Sequence, residues 1–140
     1  MSENTAAEQV FEGLKHGEFC WTELATNDAE SCRAFYENVF GWQFKKGGLS
    51  GGEMEYLEFG TDETRQFGGM FQMKPESYGG EMPKPHANIY VAVDDVDAVA
   101  SRAVELGGTI TGAPMDVENV GRMSEIQDPT GARIFIIKLK

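Results

Sequence analysis

The sequence predicts an α+β fold made of two tandem βαβββ units whose sheets curl around a shared cleft. Three observations lead there. Short apolar or alternating segments are bounded by turn clusters, as strands are. Two apolar stripes at helical spacing are each entered through an aspartate and left at a glycine. These signals also coincide when the chain is laid on itself at an offset of about 67 residues: Ala25 falls on Ala92, Asp28 on Asp95 and Gly41 on Gly108.

The elements follow in order. Glu18 to Ala25 is rich in β-branched and aromatic residues and ends at Thr26-Asn27-Asp28, a turn and helix cap. From Ala29 to Phe40 the positions Cys32, Phe35, Tyr36, Val39 and Phe40 recur every three or four residues, which predicts a helix burying that face. Gly41 ends it, and Trp42-Gln43-Phe44 opens a strand. Glu55 to Phe59 and Gly69 to Met73 are the next two strands, around the polar turn Thr61-Asp62-Glu63-Thr64. Gly47-Gly48 and Gly51-Gly52 mark a loop, not a phosphate cradle, because no helix opens there. Pro75 to Pro85, with three prolines and two glycines, reads as a linker.

The second copy repeats this grammar. Asn88 to Val93 is a strand, Asp94-Asp95 a cap, and Val96, Val99, Ala103 and Leu106 a helical stripe closed by Gly107-Gly108. Thr109-Ile110-Thr111 starts a strand, and Arg122 to Gln127 and Arg133 to Lys138 flank the tight turn Asp128-Pro129-Thr130-Gly131. Matching Phe71 with Phe135 requires a slightly shorter loop in this copy. The expected organisation is one domain: unit one at about 17–74, a linker at about 75–86 and unit two at about 87–140.

The chain has 140 residues and a net charge of −11, which argues against nucleic acid or an anionic membrane surface as partner. No apolar run approaches the roughly eighteen residues a membrane helix needs. The polar, acidic stretch Met1 to Gln9 lacks the pattern of a leader, and Cys20 and Cys32 are expected as reduced thiols, so the expected location is the cytoplasm. The stripe Val10, Phe11 and Leu14 has no partner in the repeat and is expected at a homodimer interface or over a sheet edge.

This arrangement resembles the vicinal oxygen chelate superfamily of glyoxalases, bleomycin-resistance proteins and extradiol dioxygenases. The similar features are Phe35-Tyr36 through Trp42 (F-Y-x-x-V-F-G-W), Val91 to Asp97 (V-A-V-D-D-V-D), Glu105 to Gly108, Val120 to Met123 and Asp128 to Gly131, which together span Phe19 to the C-terminus. The resemblance implies metal-ligand positions at Trp21, Phe71, Asn88 and Phe135, with Gln72 replacing Phe71 if the register slips by one residue. These side chains offer no imidazole or carboxylate, so the resemblance is to a metal-free branch, with no metal and no cofactor expected.

Strand alternation then turns Trp21 with Glu23, Phe71 with Met73, Asn88 with Tyr90, and Phe135 with Ile137 toward the cleft. Tyr56 and Arg122, on neighbouring strands, complete the candidate site. The expected ligand is a small organic molecule, aromatic or cationic, bound by stacking and by the Glu23 carboxylate. Glu23 is also the candidate catalytic base, since a carboxylate turned inward is costly unless paired, solvated or used. His86 shares the alternation of Asn88 but sits in the proline-flanked linker, where exposure is expected.

Three functional readings follow. The first is a binding protein of the sequestration or resistance type. The second is a lyase, isomerase or dioxygenase-type enzyme of the same fold, metal-free through Glu23 or metallated through ligands not identified. The third is an interaction protein that uses the fold as a dimer scaffold. Nothing in the residues names the ligand.

Overall fold

The computed structural model of the protein describes residues 13–47 and 56–140. The elements are β1 (Phe19–Thr26), α1 (Ala29–Phe40), β2 (Gln43–Lys46), β3 (Tyr56–Asp62), β4 (Arg65–Gln72), a 3-10 turn (Pro75–Tyr78), β5 (His86–Ala92), α2 (Val96–Glu105), β6 (Thr109–Val117), β7 (Gly121–Gln127) and β8 (Arg133–Leu139). This is the expected α+β class, with one helix and four strands twice over. The stripe residues Val10 and Phe11, and the loop glycines Gly48, Gly51 and Gly52, lie outside the described residues.

Trp21–Asn88 forms the described part of one compact unit, and Ile89–Lys140, with the stretch that ends at Cys20, forms the other. In the first, the strand order is β2-β3-β4-β1, with β1 parallel to β4 and the remaining pairs antiparallel. In the second it is β5-β8-β7-β6, with β5 parallel to β8. The same crossover therefore closes both copies, and the repeat seen in the caps is a repeat of topology.

The caps are built as the residue types dictate. Asp28 accepts a hydrogen bond from Ser31 N at 3.1 Å, and Asp95 accepts one from Ala98 N at 3.0 Å. Gly41 takes the left-handed conformation (φ 71°) that a side chain resists, so α1 stops there. The two hairpin turns also match. Asp62 Oδ1 accepts from Thr64 N at 2.7 Å and Thr64 Oγ1 at 2.6 Å, and Asp128 Oδ1 from Thr130 N at 2.8 Å and Thr130 Oγ1 at 2.6 Å. These bonds hold both carboxyls below the usual aspartate range.

The equal turns correct one expected register. Ala25 pairs with Phe71 and Ala92 with Ile137, so Phe71 corresponds to Ile137, and Gly69, opposite Glu23, corresponds to Phe135, opposite Tyr90. The step from Asp62 to Asp128 is 66 residues and so is the step from Phe71 to Ile137, which removes the shorter loop that the Phe71–Phe135 match required. The error is two residues, so each side chain keeps its face.

A second correction concerns α1. Its boundaries are as expected, but it buries no residue. Phe35, Val39 and Phe40 are 58%, 52% and 58% exposed, while Cys32 and Tyr36 are half-buried. Ala29 N donates to Gln72 Oε1 at 2.8 Å, and Tyr36 stacks on Trp42, which stacks on Phe59 at 4.6 Å between centroids. In the second unit α2 does bury a face: Val96 and Ala100 join Val93 and Ile136 in a core flanked by Val91, Val99 and Ile126. Leu106, expected in that stripe, falls past the helix end and is 62% exposed.

Candidate functional site

In the first unit the sheet face away from α1 carries the polar chemistry. Glu23 on β1, Gly69 on β4 and Glu58 on β3 form one rung, and Ala25, Phe71 and Tyr56 form the next. The neighbours Gly68 and Gly69 make room for rings on opposite faces. A Cβ on Gly68 would lie 2.4 Å from Phe59 Cζ, on the α1 side. A Cβ on Gly69 would lie 2.0 Å from the Tyr56 hydroxyl and 2.2 Å from its Cζ. Tyr56 therefore lies flat across Gly69 and reaches the Glu23 carboxylate.

That reach completes a chain of hydrogen bonds. Trp21 Nε1 donates to the Tyr56 hydroxyl at 2.9 Å, and the hydroxyl donates to Glu23 Oε2 at 2.9 Å. Asn88 Nδ2 donates to Glu23 Oε1 at 3.3 Å. Glu23 is 8% and Tyr56 3% exposed, whereas Trp21 and Asn88 are half-buried. A typical hydrogen bond contributes about 0.5–1.5 kcal/mol net, and bonds joined in one chain orient all four side chains together. Glu58 is buried beside Lys45 on β2, and burial pushes its carboxyl up while Lys45 acts against it.

Trp21, Glu23, Tyr56 and Asn88 are thus brought together. Phe71 is half-buried one rung away on the same face, and Met73 is buried where β4 ends, its N–H donating to Thr26 O at 2.7 Å. In the second unit Tyr90 and Phe135 are paired in register and stacked at 4.7 Å between centroids. Arg122 does not join them. It shares the α2 side of its sheet with Ile136 and forms a fork to Asp97 at 2.6 and 2.9 Å and a bond to Asp116 at 3.1 Å. The strand alternates from Ser124, opposite Ile136, so Arg122 necessarily takes the α2 face. Its guanidinium holds Asp97 below the usual aspartate range. His86 is half-exposed, and its Nδ1 meets Lys84 O at 2.6 Å.

Sequence reasoning missed Gly69 and Glu58. The signal was the Gly-Gly pair inside an alternating strand, where a missing side chain marks a close approach.

The positions that the resemblance assigns to metal ligands do not fit a divalent cation. Trp21 and Asn88 with Phe71 and Phe135, or with their register mates Gly69 and Ile137, supply one neutral amide oxygen and no imidazole or carboxylate. Among the described residues no three of His, Cys, Asp and Glu stand close enough to hold a metal.

The sequence matches the family described as the Glyoxalase/Bleomycin resistance protein/Dioxygenase superfamily over residues 19–136. The chain belongs to that superfamily. It is similar to "Putative glyoxylase CFP32" of Mycobacterium tuberculosis, 38% identical over 114 residues that make up 81% of this chain and 42% of that protein. It is also similar to "Anthracycline biosynthesis protein DnrV" of Streptomyces peucetius, 32% identical over 89% of this chain and 42% of that protein. The chain therefore spans about two-fifths of the length of these relatives. Among solved structures it resembles methylmalonyl-CoA epimerase from Mycobacterium tuberculosis, with a TM-score of 0.58 and 14% identity over 89% of this chain and 88% of that one. The Mn(II)-bound glyoxalase from Novosphingobium aromaticivorans gives a TM-score of 0.57 and 14% identity over 89% of this chain and 39% of that one. At such identities the likeness is one of fold.

Proposed function

We propose that this protein binds a small organic molecule, without a metal ion, on the face that carries Trp21, Glu23, Tyr56, Phe71 and Asn88. The role is that of sequestration or resistance. The observation behind the reading is the hydrogen-bonded chain from Trp21 through Tyr56 to Glu23 and Asn88, which sets aromatic and polar groups in fixed orientations on one sheet face. The names of the relatives, one a glyoxylase and one an anthracycline biosynthesis protein, agree with small-molecule work. A thermal-shift screen of the purified protein in EDTA against small aromatic and cationic compounds is expected to find ligands that raise Tm by a few degrees. Stabilisation seen only when Mn²⁺, Ni²⁺ or Zn²⁺ is supplied would contradict the reading.

The enzymatic alternative uses Glu23 as a base. Its carboxylate already accepts from Tyr56 and Asn88, which suits an anchored anion that orients its neighbours. Turnover of a ligand from the screen, abolished in Glu23→Gln with binding intact, would favour that alternative. We further read the protein as a homodimer, supported by the exposed Phe35, Val39 and Phe40 of α1, and as cytoplasmic, supported by the free thiols Cys20 and Cys32. Light scattering is expected to give the dimer mass at micromolar concentration, and a monomer mass would contradict this.

A further inference from the structure

We propose that two copies of this chain meet through one flank of α1, with Phe35 of each copy packed against Val39 of the other. The inference rests on the homodimer reading above and names its surface.

The repeat supplies an internal control. At the offset that lays the cap Asp28 on Asp95, Phe35 of α1 corresponds to Arg102 of α2, and Asn38 corresponds to Glu105. Arg102 Nη1 donates to Glu105 Oε2 at 2.9 Å, and both side chains are well exposed, as charged groups facing water are. In α1 the same two positions hold no charge, and a phenylalanine more than half exposed stands in place of the arginine. The fold therefore does not require an apolar side chain there. Such side chains on a helix that buries none of its own residues mark a contact surface.

The distribution of charge around α1 decides the occupant. At about 100° per residue, Phe35 and Val39 lie about 40° apart around the helix, with Ser31 and Asn38 beside them. The charged residues Glu30, Arg33 and Glu37 fall on the other side, where Arg33 Nε meets Glu37 Oε1 at 2.7 Å. Phe40 belongs to that side too, its ring centroid 5.0 Å from that of Trp42. The flank of Phe35 and Val39 is thus an uncharged strip on a chain of net charge −11. Two copies carrying that charge repel one another, and they approach at least cost where neither presents a charge. A basic partner would be drawn to carboxylates, which this flank lacks.

A two-fold axis also suits the residues. Antiparallel helices related by such an axis bring Phe35 to Val39 and Val39 to Phe35 together, as a contact between identical surfaces requires. The small side chains of Ser31 and Ala34 leave room for the two helices to approach. α1 lies across the sheet from Tyr56 and Glu23, so this pairing uses the side that the proposed ligand face does not.

The test is sedimentation equilibrium of the whole protein and of single variants. The parent is expected to be a dimer at micromolar concentration. Phe35→Arg, which copies the residue of the second unit, is expected to raise the dimer dissociation constant at least tenfold. Leu106→Arg, at an α2 position about as exposed, is expected to leave it unchanged. A dimer whose dissociation constant Phe35→Arg moves less than threefold overturns this surface while the homodimer reading stands, and so does an equal loss in Leu106→Arg. A monomeric parent overturns both. Should Phe35→Arg not fold, the parent itself carries the test through hydrogen exchange. The amides from Cys32 to Phe40 are expected to exchange at least fivefold more slowly above the dissociation constant than below it, and exchange indifferent to concentration overturns the surface.

Discussion

Gly60→Ala is expected to lower stability by about 2–4 kcal/mol and Tm by roughly 10 °C. Gly60 sits where the β3–β4 ladder shifts register, between Phe59 and Asp62. A Cβ there would lie 1.8 Å from Arg65 O, 2.8 Å from Arg65 C and 3.0 Å from Gln66 Cα. All three are backbone atoms of the paired strand, so no side chain can swing aside and the hairpin has to open. Opening it would also strain the brace in which Gln66 Nε2 donates to Asp62 O at 3.1 Å and Glu63 O at 3.2 Å. The exposed neighbour Thr61 is the control, with Thr61→Ala expected within about 0.5 kcal/mol of the parent. Thermal denaturation decides it, and a Gly60→Ala protein melting within two degrees or so of the parent would contradict the packing described.

Gly69→Ala is expected to damage the site more than the fold. The new methyl would meet the far end of Tyr56, a ring that can move, but only by leaving the Glu23 carboxylate and the Trp21 indole. A buried carboxylate then loses a donor and a buried hydroxyl loses its position, together about 2–3 kcal/mol. Ligand binding on that face is expected to disappear. The cause is separable by a double-mutant cycle with Tyr56→Ala. If Gly69 matters because it admits the Tyr56 ring, then Gly69→Ala loses most of its effect once the ring is gone, with a coupling of about 1–2 kcal/mol. Additive effects would mean that Gly69 serves the backbone instead.

How much of this was legible in the residues follows from the range of each interaction. Asp28, Gly41 and Asp95 announce helix ends through bonds made within four residues, so they could be read directly. The repeat was legible for the same reason, since the turns at Asp62 and Asp128 are local structures built by the same residue types. The fate of α1 was not. Periodicity shows that Phe35 and Val39 share a face, but whether that face is covered depends on what packs against it, and both side chains are exposed. Arg122 was misplaced because its facing depends on the pairing of β7 with β8, a register no single strand reveals. Trp21, Glu23 and Asn88 were picked out by alternation. The bonds joining them depend on Tyr56 crossing Gly69, a contact between strands that the sequence signals only through a missing side chain.

The central claim is that this face of Trp21, Tyr56, Glu23 and Asn88 holds an organic ligand with no metal between them. Its most direct test is the affinity of one panel of small aromatic and cationic compounds, titrated into the protein once in EDTA and once with Mn²⁺, Ni²⁺ or Zn²⁺ at saturating concentration. The account predicts the same affinity in both, weakened by Trp21→Ala. An affinity that appears only with the metal and is lost in Asn88→Leu or Glu23→Gln would contradict it.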